Sequence, residues 1–117
     1  MGNDIDGEDT GDTSGFSVSL SADGTTVAIG SPDNDGINGV LSGHVRVYGL
    51  DVNQVWTQIG DDIDGEDAGD LSGFSVSLSA DGTTVAIGAP HNDGISFCNS
   101  GHVRVYRLDE TDWLGKR

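Results

Sequence analysis

Two acidic stretches of the sequence carry carboxylates at a spacing that could wrap a divalent cation. Both read Asp-Ile-Asp-Gly-Glu-Asp, one starting at Asp4 and the other at Asp62. Alternating oxygens around a glycine suit a weak Ca²⁺ site, although the glycine and closing glutamate of an EF-hand loop are absent from their positions. The competing interpretation is a set of solvated loop residues that form Asx turns. Ca²⁺ is thus the candidate cofactor, and its candidate ligands are Asp4, Asp6, Glu8, Asp9, Asp62, Asp64, Glu66 and Asp67.

The histidines and arginines of the chain do not form a catalytic pattern. His44 and His102 occupy equivalent positions, and because no second His or Cys recurs near them we expect packed or hydrogen-bonded histidines rather than metal ligands. Arg46 and Arg104 follow two residues later and are expected to pair with nearby acids. No nucleophile elbow, P-loop, HExxH or CxxC motif is present. The sequence therefore predicts that the protein is not an enzyme, and an enzyme with a site in its loops is the least favoured class.

The charge of the chain limits its partners. Twenty acidic residues against five basic ones give a formal net charge of −15. Nucleic acid and anionic membranes need clustered Lys or Arg and are poor partners, so no nucleic-acid partner is expected, whereas a basic or cationic ligand is compatible. No apolar run approaches the length of a membrane span, so no membrane insertion is expected. The first residues show no signal-peptide pattern, and the sequence itself leaves the localisation unknown.

An internal repeat governs the organisation of the chain. Residues 4–48 align with residues 62–106 at a constant offset of 58, and 37 of the 45 aligned positions are identical. Five of the eight differences fall at positions 33–41, in a loop rich in Gly, Asn and Asp. Loops tolerate substitution and packed strands do not, so two copies of one structural unit are expected.

Within each copy the hydrophobic period is two, which indicates strands. Phe16, Val18 and Leu20 alternate with Ser17 and Ser19, and a hairpin turn of Ala-Asp-Gly follows. The pattern predicts a four-stranded antiparallel meander over residues 16–20, 26–29, 44–48 and 55–59, with no helix. Residues 61–70 are expected to be a polar loop, and Trp113 is the expected counterpart of Trp56.

The connections of such a meander alternate between its two ends. The loop from the fourth strand to the next first strand shares one end with the loop from the second strand to the third. The former carries the two acidic stretches, and the latter carries Asp33, Asp35 and Asp93. Most of the carboxylates are therefore expected to converge on one face.

Each predicted sheet has a bulky face and a small face, so a like sheet can stack on it at about 10 Å. One four-stranded sheet buries too little apolar surface to be stable alone, and repeat proteins generally need about three units. The fold class expected is all-β, a β-propeller built from tandem four-stranded blades, two per chain. Residues 1–60 form the first blade with a leading acidic loop at 1–15, and residues 61–117 form the second with a truncated last strand. Either three or four copies complete a ring of six or eight blades, or the remaining blades belong to a longer parent chain.

Several segments resemble the FG-GAP repeat family, the blade unit of integrin α-subunit propellers. They are Gly-Phe-Ser at 15–17, Ile-Gly-Ser-Pro at 29–32, Ile-Gly-Ala-Pro at 87–90, and Gly-His-Val-Arg-Val-Tyr at 43–48 and 101–106. The resemblance implies a β-propeller used for adhesion, ligand binding or assembly, outside the cell or at its surface. Many members carry a D-x-D-x-D-G calcium loop between the first two strands. The corresponding turn here has only Asp23 or Asp81, too few oxygens for Ca²⁺.

These observations predict a non-enzymatic β-propeller scaffold for protein or ligand binding, or for self-assembly into a closed ring. The alternative is a calcium-dependent extracellular adhesion module.

Overall fold

The computed structural model of the chain describes residues 2–35, 39–91 and 101–116, with the backbone alone for Lys116. Asp93 and Cys98 lie outside the described residues. The described part of the chain is all-β and contains no helix, as the alternating pattern predicted. Nor does it contain any helical stretch of the length and apolarity that crossing a bilayer requires.

The strands form two antiparallel sheets, each built mainly from one repeat. Sheet 1 contains β1 (Ser17–Leu20), β2 (Thr26–Ser31), β3 (His44–Leu50), β4 (Trp56–Gln58) and β5 (Ile63–Asp64). Sheet 2 contains β6 (Ser75–Leu78), β7 (Thr84–Ala89), β8 (His102–Asp109) and β9 (Asp112–Lys116). In both sheets the first four strands lie side by side in chain order, as expected for a meander.

A tight turn joins the first two strands of each sheet. In sheet 1 it contains Gly24 at a φ of 75°, a conformation that glycine adopts without steric cost. Oδ1 of Asp23 accepts hydrogen bonds from the hydroxyl and backbone N–H of Thr25 and from the hydroxyl of Ser21. These bonds, those from Thr25 first, lower the pKa of Asp23. The carboxylate of Asp23 thus stabilises the turn.

The outer strand of sheet 1 is made of two pieces. β4 pairs with the end of β3, where Trp56 lies opposite Leu50, and β5 pairs with its start, where Ile63 lies opposite Val45. The prediction of a loop throughout 61–70 is therefore wrong at β5. The physical reason is that Ile63 is apolar and almost fully buried.

The second sheet repeats the pairing of the first at its outer strand. Trp113 lies opposite Leu108 just as Trp56 lies opposite Leu50, so the predicted correspondence of the two tryptophans is confirmed. Trp113 is buried, and its Nε1 donates a hydrogen bond to the carbonyl oxygen of Ile59 at 2.8 Å. This bond ties the last hairpin to the segment that links the two sheets.

The core lies between the two sheets, where the small face of sheet 1 packs on the bulky face of sheet 2. The hydroxyl of Ser17 donates to the carbonyl oxygen of Gly73 at 2.7 Å, and the backbone N–H of Leu78 donates to Oγ of Ser19 at 3.0 Å. The predicted stacking of a bulky face on a small one is thus observed between the two repeats. The buried core cluster comprises Ala28, Val45, Val47, Ile63, Leu78, Val85, Ile87, Tyr106 and Trp113.

Candidate functional site: an acidic cleft at one end of sheet 1

A cleft of about 300 Å³ opens where β2 ends and where β3 and β5 meet. Its position follows from the topology, because the acidic leading segment and the loop after β2 reach the same end of sheet 1. Four of its side chains are carboxylates from the two acidic stretches. The lining residues are Glu8, Asp9, Asn34, Asp35, His44, Asp62 and Asp64.

Arg46 holds two of these carboxylates together. Its Nε and Nη2 donate to Oδ1 and Oδ2 of Asp62 at 2.7 and 3.1 Å. Nη2 also donates to Oε2 of Glu8 at 2.7 Å, and Gln58 donates to Oδ1 of Asp62 at 2.7 Å. Burial alone would raise the pKa of Asp62, but the hydrogen bonds from Arg46 and Gln58 lower it below its usual range. The expected pairing of Arg46 with nearby acids is thus observed.

A second group of hydrogen bonds fixes the other side of the cleft. The amide nitrogen of Asn34 donates to Oε1 of Glu8 at 2.9 Å and to Oδ2 of Asp12 at 2.8 Å. The same oxygen of Asp12 accepts the backbone N–H of Asp9 at 3.2 Å. Asn34 and Asp12 are both buried, so this network joins the leading segment to the loop after β2.

His44 lies at the base of the cleft and is only 3% exposed. Its Nδ1 is 3.7 Å from Oδ2 of Asp62, which is too long for a hydrogen bond. Burial is the main cause that lowers the pKa of His44 from the ordinary value, so the ring is neutral at pH 7. The pKa of Asp64 is raised, first by burial and then by the charge of Asp62. The expected packed histidine is therefore observed here, in surroundings that favour a neutral ring.

Among the residues that the structure describes, two sets of three side chains bring ligand atoms within 4.8 Å of one another, which is close enough for a shared cation. One set is Glu8, His44 and Asp62, and the other is Glu8, Asp9 and Asp12. The oxygens of Glu8, Asp12 and Asp62 already accept the hydrogen bonds just described. These donors therefore compete with a cation for the carboxylates of Glu8, Asp12 and Asp62.

The structure brings together half of the predicted Ca²⁺ ligands. Glu8, Asp9, Asp62 and Asp64 line the cleft. Asp4 and Asp6 are exposed and do not line it, although Asp6 borders a small groove beside Glu8. Glu66 lies in the second repeat, 3.8 Å from Nε2 of His102, and Asp67 is exposed.

Asp12 and Asn34 were not predicted as site residues. A weak signal was available for Asp12, because an acid three residues after Asp9 can accept the backbone N–H of Asp9 in a turn. No local pattern points to Asn34, since its role depends on where the loop after β2 closes.

The calcium loop implied by the family resemblance does not fit the residues that are present. Asp23 supplies the only carboxylate of the turn between β1 and β2, and its Oδ1 is occupied by Ser21 and Thr25. Comparison of the chain with protein-family models and with curated proteins finds no match.

Proposed function

We propose that the protein is a non-enzymatic scaffold in which sheets 1 and 2 are consecutive blades of a β-propeller. Further copies of the chain complete the ring. The observation that carries this proposal is that each outer face repeats, almost residue for residue, a face that is buried between the two sheets.

The outer face of sheet 1 corresponds to the buried face of sheet 2. Val18 and Leu20 are 61% and 59% exposed, whereas Leu78, the counterpart of Leu20, is 8% exposed and packs in the core. Burying a side chain of this size stabilises a protein by about 1.5–3 kcal/mol. The outer face of sheet 1 is therefore suited to lie on another small face.

The outer face of sheet 2 has the complementary relationship. Val103 and Val105 are 67% and 40% exposed, whereas their counterparts Val45 and Val47 are 0% and 1% exposed under sheet 2. A second copy can place its sheet 1 on this face with the contacts that the two sheets make within one chain. Such a head-to-tail interface closes into a ring when its rotation permits. Three copies give six blades and four copies give eight.

The lack of a catalytic pairing in the cleft supports a scaffold rather than an enzyme. Among its described carboxylates, Glu8 is held by Arg46 and Asn34 and Asp62 by Arg46, and neither contact pairs a nucleophile with a base. The FG-GAP resemblance supports the propeller and favours an extracellular or cell-surface location. In such a ring each copy would contribute its own acidic cleft, and a basic or cationic ligand would bind at these clefts.

The solution mass tests the proposal. We expect about three or four times the chain mass of 12.1 kDa by light scattering and native mass spectrometry. High salt should favour the ring, because each copy has a formal charge of −15. A folded 12.1 kDa monomer at high protein concentration and high salt would overturn assembly from copies of this chain.

A matched pair of variants separates assembly from folding. Val18→Lys places a charge on the outer face and should give a folded monomer. Val76→Lys is the same change at the equivalent position, where the side chain packs against the core, and it should unfold the chain. Circular dichroism measures folding and native mass spectrometry measures assembly, so the two methods together distinguish the two outcomes. A Val18→Lys variant that still forms the ring would exclude this face as the interface.

Calcium-dependent adhesion is the second candidate function. The grouping of Glu8, Asp9 and Asp12 favours it. The bonds from Asn34 and Arg46 make it the weaker candidate, because Ca²⁺ needs about six to eight oxygens that are free to bind.

A further inference from the structure

We infer that the joint between two copies is closed by strand addition, in which residues 4–6 of one copy pair with the start of β8 of the next. This inference rests on the proposed ring. It adds a specific contact, since the ring could also form by stacking of faces alone.

The internal joint provides the template for this contact. The tripeptide Asp-Ile-Asp at 62–64 reaches back to sheet 1, where Ile63 lies opposite Val45 and Asp64 lies opposite His44. The same tripeptide occurs at 4–6, and the edge that corresponds to Val45 and His44 is Val103 and His102. Within the described residues, β9 pairs with β8 from Val105 onward, so no strand is paired with this part of the outer edge.

The leading segment already follows the path that this pairing requires. A Cβ on Gly2 would lie 2.9 Å from Cδ1 of Trp56, and a Cβ on Gly60 would lie 2.8 Å from Cδ1 of Trp113. The φ angles also agree, at 76° and 72° for the two glycines. Residues 2–6 thus approach sheet 1 as residues 60–64 approach sheet 2. This path carries residues 4–6 to the side on which the neighbouring copy would stack.

The charged cluster of sheet 1 provides a template for a charge contact at the same joint. Arg46 is held by Glu8 and by Asp62, and Arg104 is the counterpart of Arg46 in the second repeat. In sheet 2 the guanidinium of Arg104 lies 5.1 Å from the centre of the Tyr106 ring. Asp4 of the second copy occupies the repeat position of Asp62 and would complete the cluster around Arg104.

A disulfide between two copies tests the register. In a Cys98→Ser background, Ile5→Cys and Val103→Cys would place two thiols directly opposite each other. Opposed residues of an antiparallel pair have Cα atoms about 4.5–5.5 Å apart, within the range of a disulfide. We expect covalent oligomers on non-reducing gels that end at the ring size and that reductant converts to monomer.

The chain offers an internal control for this experiment. Val45→Cys with Ile63→Cys places thiols at the same register positions within one molecule, so it should give an oxidised monomer and no covalent oligomer. A variant that carries only one of the two introduced cysteines should give no covalent oligomers on the same gels. Failure of Ile5→Cys with Val103→Cys to cross-link while native mass spectrometry still shows a ring would overturn strand addition and leave the scaffold intact. Absence of any ring would overturn both.

A charge exchange provides a second readout that needs no cross-link. Asp4→Arg and Arg104→Asp should each raise the dissociation constant of the ring about tenfold or more, and the double variant should recover most of the loss. Equal effects of the single and double variants would contradict a pairing of Asp4 with Arg104.

Discussion

Asp62 and Arg46 are joined by two hydrogen bonds of 2.7 and 3.1 Å, although the two residues belong to different sequence repeats. Asp62 opens the second repeat, yet its carboxylate lies against sheet 1. The segment between the sheets is therefore both a connection and a part of the first sheet. Its removal or neutralisation should weaken sheet 1 as well as the link.

Asp62→Asn tests this double role. The variant keeps the shape of the side chain but loses the charge that pairs with Arg46, so we expect a loss of about 1–3 kcal/mol in the free energy of unfolding. Urea denaturation in the Val18→Lys background, which the proposed assembly predicts to be monomeric, measures folding without assembly. Asp109→Asn is the matched control, because Asp109 is an exposed carboxylate on sheet 2, and it should change stability by less than about 0.5 kcal/mol. Equal effects of the two variants would refute the role of the pair.

Gly30 and Gly88 are equivalent positions that should respond differently to alanine. A Cβ at Gly30 would collide with the carbonyl oxygen of Gly73, which lies just before β6 of the other sheet, whereas a Cβ at Gly88 would meet only the side chain of Ser75 closely. Gly30→Ala should therefore cost about 1–3 kcal/mol of folding stability, because the two sheets must move apart. Gly88→Ala should leave the monomer stable and weaken the proposed ring, since this face is the proposed joint.

Thermal melts and native mass spectrometry of the two glycine variants separate these outcomes. A monomer that Gly88→Ala destabilises as much as Gly30→Ala would show that both faces are already covered. A ring that Gly88→Ala leaves unchanged would exclude the proposed stacking of faces.

His44 should make folding stability depend on pH below its ordinary pKa of 6.5. Because burial lowers the pKa in the folded state, both states are neutral well above pH 6.5, and only the unfolded chain gains a proton just below it. Stability should thus fall with decreasing pH, by at most about 1.4 kcal/mol per pH unit. Asp62, Glu8 and Asp64 oppose this shift and Arg46 adds to it.

The pH dependence is measured by urea denaturation between pH 7 and pH 5.5. His44→Gln should flatten the curve in this range, because it removes the group whose pKa is lowered by burial. Asp64, with its raised pKa, contributes in the opposite direction at lower pH, because the folded state then takes up its proton first. An identical slope in the wild type and His44→Gln would contradict the prediction.

Calcium should stabilise the wild-type protein only weakly. A site with a dissociation constant of about 1 mM would add about 1.4 kcal/mol at about 10 mM Ca²⁺, but the donors Arg46 and Asn34 compete for oxygens of Glu8, Asp12 and Asp62. We expect a melting-temperature change below about 1 °C for the wild type, which corresponds to a small fraction of that stabilisation. Arg46→Gln leaves Glu8 and Asp62 without their cation and should gain a larger calcium response.

Scanning calorimetry with Ca²⁺ and then EDTA measures both responses. A rise of several degrees in the wild type that EDTA reverses would favour the adhesion module. Glu8→Gln, which removes a carboxylate common to both candidate ligand sets, is the control for a response that arises in the cleft.

The period of two was sufficient to predict the hairpin strands, because the alternation of large and small side chains along β1 and β6 matches an alternation in their burial. It was not sufficient for β5, since two residues in an acidic segment show no alternation and Ile63 is buried only because sheet 1 has an open edge there. The pairing of Arg46 with acids followed from charge alone. The contact between Asn34 and Asp12 could not be predicted, because it joins two loops whose closure depends on the whole sheet.

The two-residue strand β5 also determines how these repeats can be inherited or reused. A sequence comparison places the boundary of the second repeat at its first acid, but the hydrogen-bonded unit ends at Asp64. A duplicated or transplanted segment that ends before Asp62 would lack β5, the strand that pairs with the start of β3. A segment that runs from residue 7 to Asp64 would instead contain all five strands of sheet 1.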